Sequence, residues 1–138
     1  MTLVDTTVWI DFFRGSPTDE KRALDILLQK AELVCLTDII LTEILRGIAS
    51  EGEYGMVKNH LASLPCLTAR VPRTFFFAAD LYRHCRKKGA TVRSTVDCLI
   101  AAVCIENKVP LLHHDADFHP LAKWCGLKVL DPAAVFKR

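Results

Sequence analysis

Residues 3–13 of the chain, LVDTTVWIDFF, decide the fold. The first two residues form a short apolar run that predicts a buried strand. The apolar positions after Thr7 predict a helix, which Gly15 closes. A strand that passes straight into a helix is a building unit of α/β sheets. Asp5 stands where the two predicted elements meet.

The rest of the chain repeats this alternation of short apolar runs and amphipathic segments. Further strands are predicted at residues 33–36, 66–69, 109–112 and 127–130. Helices are predicted at residues 19–30, 37–50, 53–64, 72–88, 94–104 and 118–124. Strands that alternate with helices favour a parallel sheet covered on both faces. We therefore predict an α/β fold with about five parallel strands, in a single domain over residues 1–138.

The composition is that of a globular protein. The chain has 138 residues, of which 51% are hydrophobic and 25% charged. A chain near this size buries about 68–70% of its unfolded surface, which is enough for its own core. No apolar run approaches the roughly 20 residues of a membrane span, and Asp5 interrupts the place of a signal peptide's apolar core. We expect a cytoplasmic protein that does not enter a membrane.

The six cysteines form no C-x-x-C pair. Most of them lie inside apolar patterns, as Cys98 and Cys104 do. This placement favours buried free thiols over a disulfide framework or a zinc site.

A group of basic residues precedes the helix that begins near residue 94. The group consists of Arg83, Arg86, Lys87, Lys88 and Arg93. The net charge of +2 is too small to argue for nucleic-acid binding by itself. Such a run is usually a solvated helix face, and contact with a phosphate backbone is the alternative.

Four acidic residues occupy positions that an α/β fold would bring together. They are Asp5, Glu43, Asp97 and Asp115. Residues just past a strand's carboxyl end, or in a helix's first turn, face the rim where open α/β sheets hold ligands. Two like charges about 4 Å apart at an effective dielectric of about 20 repel by roughly 4 kcal/mol. Protons or a hard divalent cation offset such repulsion, so the pattern predicts a Mg²⁺ or Mn²⁺ site.

Each acid also has a simpler interpretation. Asp5 is suited to cap the helix that follows it. Glu43 could pair with Arg46, three residues further along the helix. Asp97, in a first helical turn, gains about 0.3–1 kcal/mol from the helix dipole. Separate explanations are less economical for four acids at successive rim positions than one shared site, which favours the interpretation as a metal-binding cluster.

The polar stretch at residues 113–119 offers a competing site for zinc or another transition metal. Its ligands would be His113, His114, Asp115, Asp117 and His119. No helical H-x-x-x-H arrangement supports that site, and the distant carboxylates favour oxygen-rich coordination. The chain has no phosphate-binding glycine loop and no G-x-S-x-G nucleophile motif.

Four segments carry these acids in recognisable surroundings. They read LVDTTVWIDFFRG at residues 3–15, TEILRG at 42–47, DCLIAA at 97–102 and LLHHDADF at 111–118. In this order they resemble the acidic motifs of PIN-domain ribonucleases, especially the VapC-type toxins of bacterial toxin–antitoxin pairs. The resemblance spans nearly the whole chain.

The resemblance implies a three-layer α/β/α domain and an endoribonuclease that depends on Mg²⁺ or Mn²⁺. It maps the catalytic acidic quartet onto Asp5, Glu43, Asp97 and Asp115. Asp5 and Asp97 are expected to be the most direct metal ligands. Asp117 matches an accessory acidic position, and Thr6 matches a polar position that could orient a ligand or a bound water.

The resemblance also implies partners. It predicts an RNA substrate, a homodimer and a small VapB-like antitoxin that blocks the site. Lys87, Lys88 and Arg93 are candidate contacts to the RNA backbone. Trp9, Phe12 and Phe13 could supply an interface, although core packing is favoured for most of them.

The chain departs from the family pattern at one place, residues 113 and 114. A histidine there could move the pH dependence of the site toward neutrality. Two other functions stay open: a non-catalytic RNA- or protein-binding module on the same fold, and a metal phosphoesterase that acts on DNA.

Overall fold

The first strand and helix are joined as the sequence predicts. The computed structural model describes residues 1–30 and 33–137. Strand β1, Thr2–Val4, is buried along its whole length and passes through Asp5 into helix α1, Thr6–Arg14. Gly15 ends that helix in the left-handed region, at φ 68°. Glycine adopts this conformation without the strain that a side chain would bring.

The remaining elements follow the predicted alternation. The strands are β2 (Val34–Thr37), β3 (Cys66–Leu67) and β4 (Leu111–Leu112). The helices are α2 (Asp19–Gln29), α3 (Asp38–Arg46), α4 (Glu51–Ala62), α5 (Arg73–Lys87), α6 (Thr95–Asn107), α7 (His119–Cys125) and α8 (Pro132–Phe136). A 3-10 turn, Ala116–Phe118, precedes α7.

The sheet has four parallel strands in the order β3-β2-β1-β4. The fifth predicted strand, at residues 127–130, is reduced to a single parallel bridge between Leu111 and Val129. Asp131 caps α8 directly after this segment, and Pro132 begins that helix. Because the chain turns into a helix there, the ladder cannot extend.

Helices flank the sheet in two groups, which gives the predicted three-layer arrangement. Helix α1 packs against α2 and α3, whereas α5 packs against α6 and α7. Helix α6 is buried on more than one face, since every residue from Cys98 to Cys104 is buried. No helix in the described ranges is long and apolar enough to cross a membrane.

The aromatic residues of α1 divide between core and surface. Trp9 is fully buried, and its ring stacks on Phe13 at 5.9 Å between centroids. Phe12 and Phe13 are half-buried. Trp9 therefore belongs to the core, and of the three aromatic residues on this helix the two phenylalanines are the ones that reach its surface.

Parallel strands bring the carboxyl ends of β1, β2 and β4 to one edge of the sheet. Asp5 follows β1, and Thr37 at the end of β2 caps α3 by accepting a hydrogen bond from the Ile40 amide at 3.1 Å. His113 follows β4. The predicted acidic residues follow or adjoin elements at this edge.

Candidate metal centre

Asp5 is the most buried of the predicted acids, with 3% of its surface exposed. Its Oδ2 accepts hydrogen bonds from the Thr7 amide at 3.1 Å and from Thr7 Oγ1 at 2.6 Å. Burial raises the pKa of Asp5, the Thr7 hydrogen bonds oppose that rise, and the charge of Glu43 adds to it. Thr7 thus fixes the orientation of the carboxylate through its Oδ2 atom.

Glu43 is held by the other threonine of the same pair. Thr6 Oγ1 donates a hydrogen bond to Glu43 Oε1 at 2.9 Å. Arg46 is exposed, and within the described ranges it forms no ion pair with Glu43. The arginine partner considered from the sequence is therefore replaced by a neutral hydroxyl, which leaves the charge of Glu43 uncompensated.

The three remaining acids form a compact triplet. One carboxylate oxygen from each of Asp97, Asp115 and Asp117 lies within 4.8 Å of the other two. Asp97 lies in the first turn of α6, where its amide donates to Ser94 Oγ at 3.4 Å. Asp115 caps the 3-10 turn, because its Oδ1 accepts from the Asp117 amide at 2.9 Å. Asp117, predicted as accessory, is thus a full member of this group.

The five acids behave as one electrostatic cluster centred on Asp97. Its pKa is raised to about 7 by burial first, and then by the charges of Asp5, Asp115, Asp117 and Glu43. All of these charges are negative. In the described ranges, no lysine or arginine forms an ion pair with any of the five. The cluster therefore carries a negative charge that the protein does not neutralise.

Thr7 connects two of the acidic segments, a role that the sequence analysis missed. Its Oγ1 donates to Asp5 and accepts a hydrogen bond from the His114 amide at 3.0 Å. The His114 ring in turn lies with Nδ1 3.0 Å from Asp11 Oδ2. The only signal in the sequence is the doublet of threonines next to Asp5.

His113 is neutral at physiological pH. Burial, followed by the neighbouring His119, lowers its pKa to about 4. Its Nδ1 accepts a hydrogen bond from the Asp115 amide at 3.1 Å, and its ring packs on Phe118 at 4.9 Å. This lowered pKa does not favour His113 as the histidine that moves the site's titration toward neutrality; the acid whose pKa is raised to about 7 is Asp97.

The donor atoms of the cluster fit a hard cation. Among the described residues, the group able to hold a metal consists of three carboxylates. His113 and His114 use their Nδ1 atoms in contacts with the protein. Oxygen donors suit Mg²⁺ and Mn²⁺, whereas zinc sites usually include nitrogen or sulfur. The competing zinc site is not assembled.

The candidate RNA contacts lie at the same end of the molecule as Asp97. Helices α5 and α6 are antiparallel, because Thr74 at the start of α5 donates to Glu106 at the end of α6, at 2.6 Å. The carboxyl end of α5 therefore lies beside the first turn of α6. Lys87, Lys88 and Arg93 are exposed there.

Comparison with known proteins agrees with this geometry. The model of the PIN-domain family matches residues 2–123. VapC ribonuclease Mb1587 of Mycobacterium bovis and ribonuclease VapC11 of Mycobacterium tuberculosis are each 34% identical to this chain over 131 residues. Each alignment covers 93% of this chain and 96% of the relative.

Solved structures share the fold at lower identity. VapBC2 of Rickettsia felis, bound to a promoter DNA fragment, matches with a TM-score of 0.70 and 18% identity, over 94% of this chain and 96% of that chain. A toxin–antitoxin complex of Klebsiella pneumoniae has the same TM-score and identity, over 96% and 98%. With the family match and the 34% identity to both relatives, these findings show that the chain belongs to the PIN-domain family, among its VapC-type proteins.

Proposed function

We propose that this protein is an endoribonuclease that depends on Mg²⁺ or Mn²⁺ and acts as the toxin of a type II toxin–antitoxin pair. The observation that carries the proposal is the group of five acids, which have no lysine or arginine ion-pair partner among the described residues, at the sheet edge where ligands bind. The two relatives are named as ribonucleases, which supports RNA over DNA as the substrate.

Asp5 and Asp97 are the proposed direct ligands of the ion, and Asp115 shares this role. Asp117 and Glu43 complete the site directly or through water. A bound divalent ion supplies positive charge against the developing charge of the phosphate and lowers the pKa of a coordinated water.

The protein's own contribution is orientation. Thr7 holds Asp5, and Thr6 holds Glu43, so both carboxylates are fixed before an ion arrives. Outer-shell hydrogen bonds of this kind direct ligands and tune a metal site. Lys87, Lys88 and Arg93 are proposed to contact the RNA backbone beside the cluster.

We propose a small antitoxin as a partner, as the toxin–antitoxin complexes among the structural neighbours support. A cavity of about 200 Å³ contains Glu43; its lining combines apolar residues of α1 and α3, among them Ile10, Phe13 and Ile44, with the charged residues Arg14 and Glu53. Next to it, Met56 is 74% exposed. An amphipathic partner on this face could place a basic side chain on Glu43. We also propose a homodimer, which light scattering at micromolar concentration would test.

The test is cleavage of a mixed structured-RNA substrate with Mg²⁺, with Mn²⁺ and with EDTA. Asp5→Asn protein, purified identically, excludes a contaminating nuclease. Metal-dependent cuts that are absent from the variant support the proposal. Cuts by the variant at the wild-type rate would show that the site assignment is wrong, and equal cleavage of single-stranded DNA would favour the broader phosphoesterase.

A further inference from the structure

A second surface, outside the acidic cluster, combines positive charge with an aromatic ring. An open cavity of about 500 Å³ lies between helices α5 and α7. Its lining includes Arg83, His84, Lys87 and Trp124, with Asp80 as an acidic member. The volume falls in the range of about 300–1,000 Å³ that small-molecule sites occupy. We call this the α5–α7 cleft.

Trp124 is the aromatic centre of the α5–α7 cleft. The Lys123 ammonium lies 4.8 Å from its ring centroid and the Lys88 ammonium lies 5.5 Å from it. Both lysines are exposed, and the indole is half-buried. Each ammonium group is attracted to the face of the indole ring by a cation–π interaction. Both lysine side chains are long enough to turn their ammonium groups toward a phosphate instead.

Helix α5 connects the cleft to the helix that carries Asp97, because it packs against both α6 and α7. Cys98 directly follows Asp97 on α6. The pKa of the Cys98 thiol is raised first by burial and then by Cys85 on α5, so these two cysteines are neighbours. The Sγ atom of Cys85 lies 3.5 Å from that of Cys125, which lines the cleft beside Trp124. Cys85 of α5 thus links the helix that carries Asp97 to the residue beside Trp124.

We propose that the α5–α7 cleft binds a nucleotide of the RNA strand that flanks the cleavage point. The base stacks on Trp124, and Lys88 and Lys123 bind the adjoining phosphates. Proteins that bind single-stranded RNA combine an aromatic platform with a basic groove in this way. This subsite deepens the proposed ribonuclease function and rests on it for the identity of the ligand.

Binding can be measured apart from cleavage, by titrating short single-stranded oligoadenylate into the protein in EDTA. The chain has two tryptophans, and Trp9 is fully buried, so a change in fluorescence on binding reports Trp124. We expect quenching in the wild type. Trp124→Leu lacks this reporter, so its affinity is measured by the fluorescence anisotropy of end-labelled oligoadenylate; it should fall by roughly tenfold to a hundredfold, the range typical of one lost stacking contact.

A second variant is needed because Trp124 also packs against the core, so that weaker binding by Trp124→Leu can reflect a destabilised fold. Lys123→Glu changes one exposed side chain that is not among the proposed backbone contacts, and it should lower affinity and reduce the salt dependence of binding. The matched control is Lys58→Glu on α4, whose ammonium also lies over an aromatic ring, that of Tyr54 at 5.8 Å. Equal weakening by the control, or unchanged affinity in Lys123→Glu, would overturn the subsite.

Cleavage separates this inference from the proposed function. If the subsite exists, Lys123→Glu raises KM for RNA more than it lowers kcat. If the wild type cleaves RNA and Lys123→Glu does so with unchanged KM, the subsite is wrong and the nuclease stands. If the wild type binds oligoadenylate with quenching and cleaves no RNA, the subsite stands and the nuclease assignment fails.

Discussion

The acidic cluster has two parts that the protein treats differently. Asp5 and Glu43, the threonine-held pair, each accept a hydrogen bond from a side-chain hydroxyl. The second part is the triplet of Asp97, Asp115 and Asp117, whose oxygens gather within 4.8 Å. Within the described ranges, the side-chain hydrogen bond of the triplet is the one from the Asp117 amide to Asp115.

The hydrogen bonds of the pair fix the orientation of two carboxylates, whereas the negative charge of the cluster acts most on Asp97. Hydroxyl donors stabilise an ionised carboxylate and fix its direction, and they add no charge. The pair is thus arranged by the fold alone. In the triplet, the pKa of Asp97 is raised to about 7, by burial first and then by the charges of Asp5, Asp115, Asp117 and Glu43. A divalent cation would offset these charges, so Asp97 is the acid whose replacement should change the response to metal most.

The largest effect is expected at Asp97. Asp97→Asn should abolish detectable cleavage and remove most of the affinity for Mn²⁺, because Asp97 is the acid on which the other four charges act. The loss should exceed the roughly 10–100-fold that outer-shell partners typically cost. Cleavage assays and calorimetry measure both. Asp19→Asn, an exposed aspartate on α2, is the matched control and should cleave normally.

A smaller loss is expected from the threonine that holds the pair. Thr7→Val keeps the shape of the side chain and removes the hydroxyl that joins Asp5 to the His114 amide. Cleavage should fall by roughly 10–100-fold. Thr7→Ser should restore much of it, and Thr42→Val, on an exposed face of α3, should leave it unchanged. Wild-type activity in Thr7→Val would show that this hydrogen bond does not orient the site.

The stability of the metal-free protein should fall as pH rises. Asp97 has a pKa of 3.8 in the unfolded chain and about 7 in the folded one. Between these values the folded state holds a proton that the unfolded state has lost, so the free energy of unfolding decreases from about pH 4 to about pH 7.

Thermal unfolding in EDTA measures this dependence. The drop in Tm between about pH 5 and about pH 8 should be smaller in Asp97→Asn, which has no such proton to lose. Saturating Mg²⁺ should also reduce the drop in the wild type. Equal pH dependence of Tm in the two proteins would mean that the pKa of Asp97 is not raised in the folded state.

The smallest effect is expected at His113. Its ring is neutral above about pH 4, so neither His113→Gln nor His113→Leu should shift the pH at which cleavage is half-maximal. The leucine variant should be less stable than the glutamine variant by roughly 1 kcal/mol, because the Asp115 amide loses its acceptor. A displaced pH profile in either variant would contradict the neutral assignment.

Local patterns predicted the elements well. Thr37 and Ser94 cap helices α3 and α6, and four of the predicted strands form the sheet. The segment at residues 127–130 has the same apolar character as the true strands. It forms one bridge because the helix that begins at Pro132 follows at once, and local periodicity does not report how soon a ladder must end.

The site was predictable in outline and less so in detail. The positions of Asp5 and Asp97 follow from the elements on which they stand, since the carboxyl ends of parallel strands and the first turn of α6 share an edge. The link from Thr7 to His114 joins residues 107 positions apart, so periodicity could not reveal it. The low pKa of His113 likewise depends on burial by residues from other elements.

The most direct test of the account is calorimetric titration of Mn²⁺ into the metal-free wild type and into Asp97→Asn, with Asp19→Asn as control. We predict saturable binding to the wild type and the control, with release of a proton near pH 7 as the ion displaces it from Asp97. Binding to Asp97→Asn should be too weak to saturate. Equal affinity in the wild type and Asp97→Asn would contradict the claim that Asp97 is a direct ligand of the ion.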